Sequence, residues 1–120
     1  MPMIAILDDE EAFRELLSAE LMNAGYEVVA HEYKDEFFEL IPVLNPDLII
    51  SDLISPRMDG FQFLEVMQAK GIPIIILSGC IGRNSDHERK AMQLGAFSCF
   101  KKPFELNEIL AEVKRALAQK

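Results

Sequence analysis

Short, almost continuously apolar runs alternate with longer stretches whose apolar residues recur every three to four positions, and this alternation repeats five times along the chain. Such a pattern belongs to crossover units, in which parallel strands are joined by helices packed over the sheet. Met3 to Leu7, Asp47 to Ser51 and Pro73 to Leu77 are nearly unbroken apolar runs, as central strands covered on both faces require. Tyr26 to His31 and Phe97 to Lys101 mix apolar and polar residues and are expected at sheet edges. With 120 residues there is room for one domain, so residues 1–120 are read as a single α/β unit of five strands and five helices.

Phe13, Leu16, Leu17 and Leu21 recur at helical spacing and are expected to form the inward stripe of the first helix. Leu106, Ile109, Leu110, Val113 and Leu117 do the same for the last. A turn begun at Pro56 ends at Asp59-Gly60, where Asp59 caps a helix running to about Ala69 before Gly71 and Pro73 stop it. Ser85 with Glu88 forms a capping box for a helix ending near Gly95. A further helix follows Lys34, and Pro42 is expected to break it early.

Twelve basic against twenty acidic residues give a net charge of −8. That charge repels a phosphate backbone, so direct nucleic-acid binding is not expected. Cys80 and Cys99 form neither a dense disulfide pattern nor a CxxC pair, and no signal segment opens the chain, which points to a reduced, cytoplasmic protein. The apolar stretch Ile72 to Leu77 is far short of the ~20 residues a membrane helix needs. No membrane association is expected.

In an open α/β sheet, ligands bind beyond the carboxyl ends of the strands. Those ends carry Asp8-Asp9, Asp52, Ser78 and Lys102. Carboxylates within ~5 Å of each other repel by about 3 kcal/mol at an effective dielectric near 20, so the three acids call for a neutralising partner. A hard divalent cation with oxygen ligands supplies one, and Mg²⁺ is typically held by one or two carboxylates, waters and a phosphate oxygen. Lys102 adds a point charge facing Asp52 or a phosphoryl oxygen, and Ser78 a hydroxyl donor. The plainer reading of Asp8-Asp9 is an acid cluster favoured by a helix N-terminus, as for Glu10 and Glu11. His31 and His87 fit no ligand or nucleophile arrangement and are assigned to the surface, while Phe61 and Phe63 are assigned to the core.

Asp8-Asp9 after the first strand, Asp52 followed by Pro56-Arg57-Met58-Asp59-Gly60, Ser78-Gly79 after the fourth strand and Lys102-Pro103-Phe104 after the fifth resemble the response-regulator receiver domains of two-component signalling. The resemblance covers the whole chain. It implies a doubly wound, flavodoxin-like (βα)5 sheet with strand order 2-1-3-4-5. It implies that Asp52 accepts a phosphoryl group from a phosphohistidine on a sensor histidine kinase or phosphotransfer protein. Asp8, Asp9, Asp52 and the Ile54 backbone carbonyl would then ligate Mg²⁺, Lys102 would stabilise phosphoryl charge, and Ser78 would swing to the aspartyl phosphate, with Gly79 and Gly82 flanking the moving loop. The Lys102-Pro103 bond is expected to be cis. Output would pass to a downstream effector protein or to an output domain outside this chain, from a monomer or weak dimer. Cys99 stands where the family often has an aromatic switch residue, and Ile54 and Cys80 lack the polar groups that orient water in some relatives. The competing reading is a Mg²⁺-dependent phosphoaspartyl hydrolase, whose family carries a DxD where this chain has adjacent Asp8-Asp9.

Overall fold

A computed structural model describes residues 2–8, 10–31, 43–52, 54–55, 58–59, 67–78, 92–93, 95–101 and 105–118, with backbone alone at Asp52, Ile54, Ser55, Met58, Asp59, Ser78, Cys99 and Lys101. Strands β1 (Met3–Leu7), β2 (Glu27–His31), β3 (Leu48–Asp52), β6 (Ile74–Ser78) and β7 (Ser98–Lys101) form one parallel sheet in the order β2-β1-β3-β6-β7. A separate antiparallel pair, β4 (Ile54–Ser55) with β5 (Met58–Asp59), follows β3. Helix α1 (Glu11–Asn23) joins β1 to β2, and helix α2 (Leu106–Ala118) follows β7.

The apolar runs become strands because both faces of the sheet are covered. Ile4, Ile6, Leu48, Ile50, Ile75 and Leu77 line one face and pack with Leu17 and Leu21 of α1 and Ile109, Val113 and Ala116 of α2. The alternate residues Ala5, Ile49, Ile74 and Ile76 are also at most 1% exposed. β2 and β7 lie at the edges, and β2 shows the expected half-burial, with Val28, Val29, Ala30 and His31 all partly exposed. At the amino edge, the Met3 N–H donates to Asp47 Oδ2 and the Asp47 N–H donates to the Met3 carbonyl, both at 2.8 Å, which ties the starts of β1 and β3 together.

Helix α1 ends with Gly25 at φ +99, where the Gly25 N–H bonds the Met22 carbonyl at 3.0 Å and the Tyr26 N–H bonds the Leu21 carbonyl at 3.1 Å. This closes the last turn and frees the chain to enter β2. The helical residues 67–69 close in the same way, through Gly71 N–H to Gln68 and Ile72 N–H to Met67, which places a stop at Gly71.

Two expectations change. Leu16 is 51% exposed rather than inward. At 100° per residue it stands about 120° around the helix from the direction between Leu17 and Leu21, so it faces away from the sheet. Val43 and Leu44 are helical, so helical geometry is present beyond Pro42, and Asn45 at φ +45 terminates it. Where a turn is expected before the next helix, Met58–Asp59 pairs back onto Ile54–Ser55 as a short antiparallel hairpin. The start of the following helix, the Ser85–Glu88 capping box, Phe61, Phe63, His87 and the Lys102-Pro103 bond lie outside the described residues. No described helix is long and apolar enough to cross a membrane.

Candidate functional site

Chain direction reverses its course across the sheet between β1 and β3, because β2 is laid on one side of β1 and every later strand on the other. That is the switch point where α/β sheets open a crevice at their carboxyl edge. The last paired residues there are Leu7 and Ser51, so the next residue on each strand, Asp8 and Asp52, stand level with one another. Adjacent strands run about 4.8 Å apart, which brings the two acids to neighbouring backbone positions. Asp52 pairs with Leu77 and Ser78 with Lys101, so Ser78 falls one step further along the edge than Asp52. Asp9 and Lys102 lie outside the described residues, as do Gly79, Cys80 and Gly82.

Asp8 is 1% exposed and is held at three atoms. Its N–H donates to the His31 carbonyl at 3.2 Å, its Oδ1 accepts from the Glu10 N–H at 2.9 Å, and its carbonyl accepts from Arg14 Nη1 at 2.7 Å. Glu10 is the N-cap of α1 and makes no side-chain cap of its own. Asp8 takes over that work from two residues upstream, satisfying an amide that a helix start leaves without an intrahelical partner. The plainer reading of Asp8 as a helix-end acid is therefore realised, and it coexists with the carboxyl-edge position.

Ile54 pairs with Asp59 across the short hairpin, and Ser55 with Met58 next to the two-residue turn. In an antiparallel ladder, hydrogen-bonded and non-hydrogen-bonded pairs alternate, and the pair beside a two-residue turn is the bonded one. The Ile54 carbonyl is thus not consumed by the hairpin, which leaves it chemically suited to a cation. The donor set, carboxylates plus one main-chain carbonyl, is all hard oxygen and fits Mg²⁺.

Arg14 was not singled out by motif. Its signal is positional: on α1 it stands about 20° past Leu21, at the margin of the arc that carries Phe13, Leu17 and Leu21, and it is half-buried there. A charge at the margin of the inward arc needs a partner, and the Asp8 carbonyl is one.

On β7 and α2 a second polar cluster forms. The Ser98 hydroxyl donates to Glu112 Oε2, Arg115 Nε and Nη2 donate to the two Glu112 oxygens at 2.9 Å each, and the Arg115 guanidinium lies 4.9 Å from the Phe97 ring centre. The Arg115 hydrogen bond, helped by Ser98 and by the Arg115 charge, lowers the Glu112 carboxyl below its ordinary value against an opposing effect of burial. A carboxyl lowered on folding stabilises the fold above its unfolded pKa and loses that contribution as pH falls through the folded value. Glu112→Gln should therefore cause a small loss of stability in neutral buffer that fades in acid, read as the difference in urea midpoint from the parent. An equal difference at both pH values would show that the charge is not involved.

The family model for the response regulator receiver domain matches residues 4–114 of this chain. The chain belongs to the receiver-domain family. Receiver domains are the phosphorylation-dependent switches of response regulators in two-component signalling. Among its relatives, the response regulator MprA of Mycolicibacterium vanbaalenii is 35% identical over 121 residues, covering 98% of this chain and 51% of MprA. Full-length FixJ from B. japonicum aligns with TM-score 0.87 at 31% identity, over 98% of this chain and 58% of that one. The chemotaxis response regulator CheY4 of Vibrio cholerae aligns with TM-score 0.84 at 29% identity, over 98% and 99%. The receiver chain spans about half the length of the MprA relatives it matches. These relatives are response regulators, and nothing in them supports the phosphoaspartyl hydrolase alternative.

Proposed function

We propose that residues 1–120 form one receiver domain in which Asp52 accepts a phosphoryl group from the phosphohistidine of a sensor histidine kinase or phosphotransfer protein. The observation that carries this reading is the Leu7–Ser51 register, which sets Asp52 level with the buried Asp8 at the switch point. An Asp52 carboxylate oxygen attacks phosphorus, a P–O bond forms, the P–N bond to the donor imidazole breaks, and the imidazole leaves with the electron pair. Asp8, Asp9, Asp52 and the Ile54 carbonyl would hold Mg²⁺. When bound, Mg²⁺ neutralises the gathered carboxylates and shares the charge on the phosphoryl oxygens. The Lys102 ammonium faces the same oxygens, and the Ser78 hydroxyl bonds the aspartyl phosphate once it forms.

The finer architecture belongs to the same reading: a doubly wound (βα)5 domain with five helices. So do its surroundings: a cytoplasmic location, a kinase or phosphotransfer donor, and a downstream effector or output domain that reads the phosphorylated state. As a switch, the domain promotes only its own phosphorylation and slow dephosphorylation. Intact mass after incubation with acetyl phosphate and Mg²⁺ tests the assignment. The parent chain should gain one phosphoryl adduct and Asp52→Asn none. The same adduct on both proteins would remove Asp52 as the acceptor.

A further inference from the structure

At the amino edge of the sheet, about a strand's length of 16 Å from the acids at its carboxyl edge, lies a cavity of about 340 Å³. Ile72 and Pro73, which lead into β6, Phe97, which leads into β7, and Ala116 near the end of α2 line its interior. Ile72 and Ala116 are buried, at 7% and 2% exposure, and form the floor. Gln68, Gly71 and Gly95 are exposed and form the mouth. We propose that this cavity binds a small uncharged ring compound presenting an N–H or O–H donor, of the indole or phenol class. The proposal is independent of the phosphoryl-acceptor reading.

Size, charge and hydrogen bonding each narrow the ligand. Small-molecule sites run from roughly 300 to 1,000 Å³, so this cavity takes one or two fused rings. Water over an apolar floor finds few partners and is readily displaced, and the Phe97 ring offers an aromatic ligand a face or an edge. Among the described residues no lining side chain is ionisable. Arg115, beside the Phe97 ring, is already paired with both oxygens of Glu112. A charged ligand would therefore be desolvated with no counter-charge. The N–H groups of Gly71, Ile72, Gly95 and Phe97 are bonded to the carbonyls of Gln68, Met67, Met92 and Ile74, and Pro73 has none. The main chain at these positions can only accept, so the ligand must donate. The Gln68 amide adds an acceptor at the mouth, and its stem lies across Gly95, where a Cβ would come within 2.3 Å of Gln68 Cγ.

The test is an amide NMR titration of the full chain with indole, beside benzofuran, which has the same shape and no N–H, and an indole carboxylate, which adds a negative charge. Indole should shift the amides of Gly71, Ile72, Gly95, Phe97 and Ala116 with a Kd on the order of 1 mM, the strength expected of a two-ring compound. Benzofuran should bind at least about threefold more weakly for want of one hydrogen bond, and the carboxylate more weakly still. Ala116→Leu fills the floor and should abolish the indole shifts. Gln68→Ala, at an exposed position, should weaken indole about threefold by removing the acceptor at the mouth. Should Ala116→Leu lose the parent melting temperature, Gln68→Ala decides alone. No shift at these amides up to about 10 mM indole, or shifts that the folded variants leave unchanged, would overturn the site. Benzofuran or the carboxylate binding as tightly as indole would overturn the ligand class.

Discussion

Gly95→Ala should lower the melting temperature by about 10 °C, from a loss of roughly 2–3 kcal/mol. Gly95 sits at φ +108, a conformation that costs an L-residue about 1–2 kcal/mol. A Cβ built there would also meet Gln68 at 2.3 Å from Cγ, 2.9 Å from Cδ and 3.3 Å from Cβ. Cγ is not the loose end of that side chain, so Gln68 must change rotamer to make room, at a further cost of about 0.5–1.5 kcal/mol. The turn matters because it leads directly into β7: the Gly95 N–H closes onto the Met92 carbonyl, and two residues later the Phe97 N–H joins the Ile74 carbonyl at 2.8 Å. Repeating the substitution in a Gln68→Ala background separates the two costs. Backbone strain alone should remain there, so the loss should shrink by roughly a third but not disappear. A change of less than about 2 °C in the single variant would contradict the left-handed backbone at this position.

Once phosphorylated, the parent chain should lose the group slowly, and Ile54→Asn should speed that loss by at least about tenfold. Hydrolysis needs a water held about 3 Å from phosphorus and opposite the leaving carboxylate. Isoleucine has no hydrogen-bonding group with which to hold one. Position 54 follows the proposed acceptor by two residues and is fixed in the hairpin through its pairing with Asp59, so a polar group introduced there is anchored rather than carried on a loose loop. Radiolabelled phosphoprotein, freed of donor and left in excess Mg²⁺, gives the first-order decay of both proteins. Decay of the parent within seconds, or equal decay in the variant, would place control of the water elsewhere.

Much of the sheet was legible in sequence because burial on both faces leaves little choice of residue. Strand β1 occupies Met3–Leu7 as its apolar run requires, and β3 and β6 differ from the runs Asp47 to Ser51 and Pro73 to Leu77 by one residue. The shift has a physical cause. Apolar content follows side-chain burial, whereas a strand's limits follow backbone ladders, and those ladders carry on through Asp52 and Ser78 whatever their side chains are. The helix stops at Gly71 and Gly95 are equally local, since each reflects a backbone conformation that glycine adopts most readily.

What periodicity alone left open concerned direction around an element and alignment between elements. Leu16 and Leu17 are the same residue type one position apart, yet one is 51% exposed and the other fully buried, because the sheet contacts α1 along only one arc. Arg14 lies at the margin of that arc, and what it bonds depends on where the end of β1 stands relative to the first turn of α1. Glu112 meets Ser98 only because α2 packs beside β7. By itself, the sequence determined that acids and a hydroxyl would arrive at strand ends. That Asp8 and Asp52 arrive at the same height was decided by the sliding of β1 against β3, locked by packing on both faces and by the bonds between Met3 and Asp47, residues 44 positions apart. Register is a property of two strands together, and no pattern within either strand can state it.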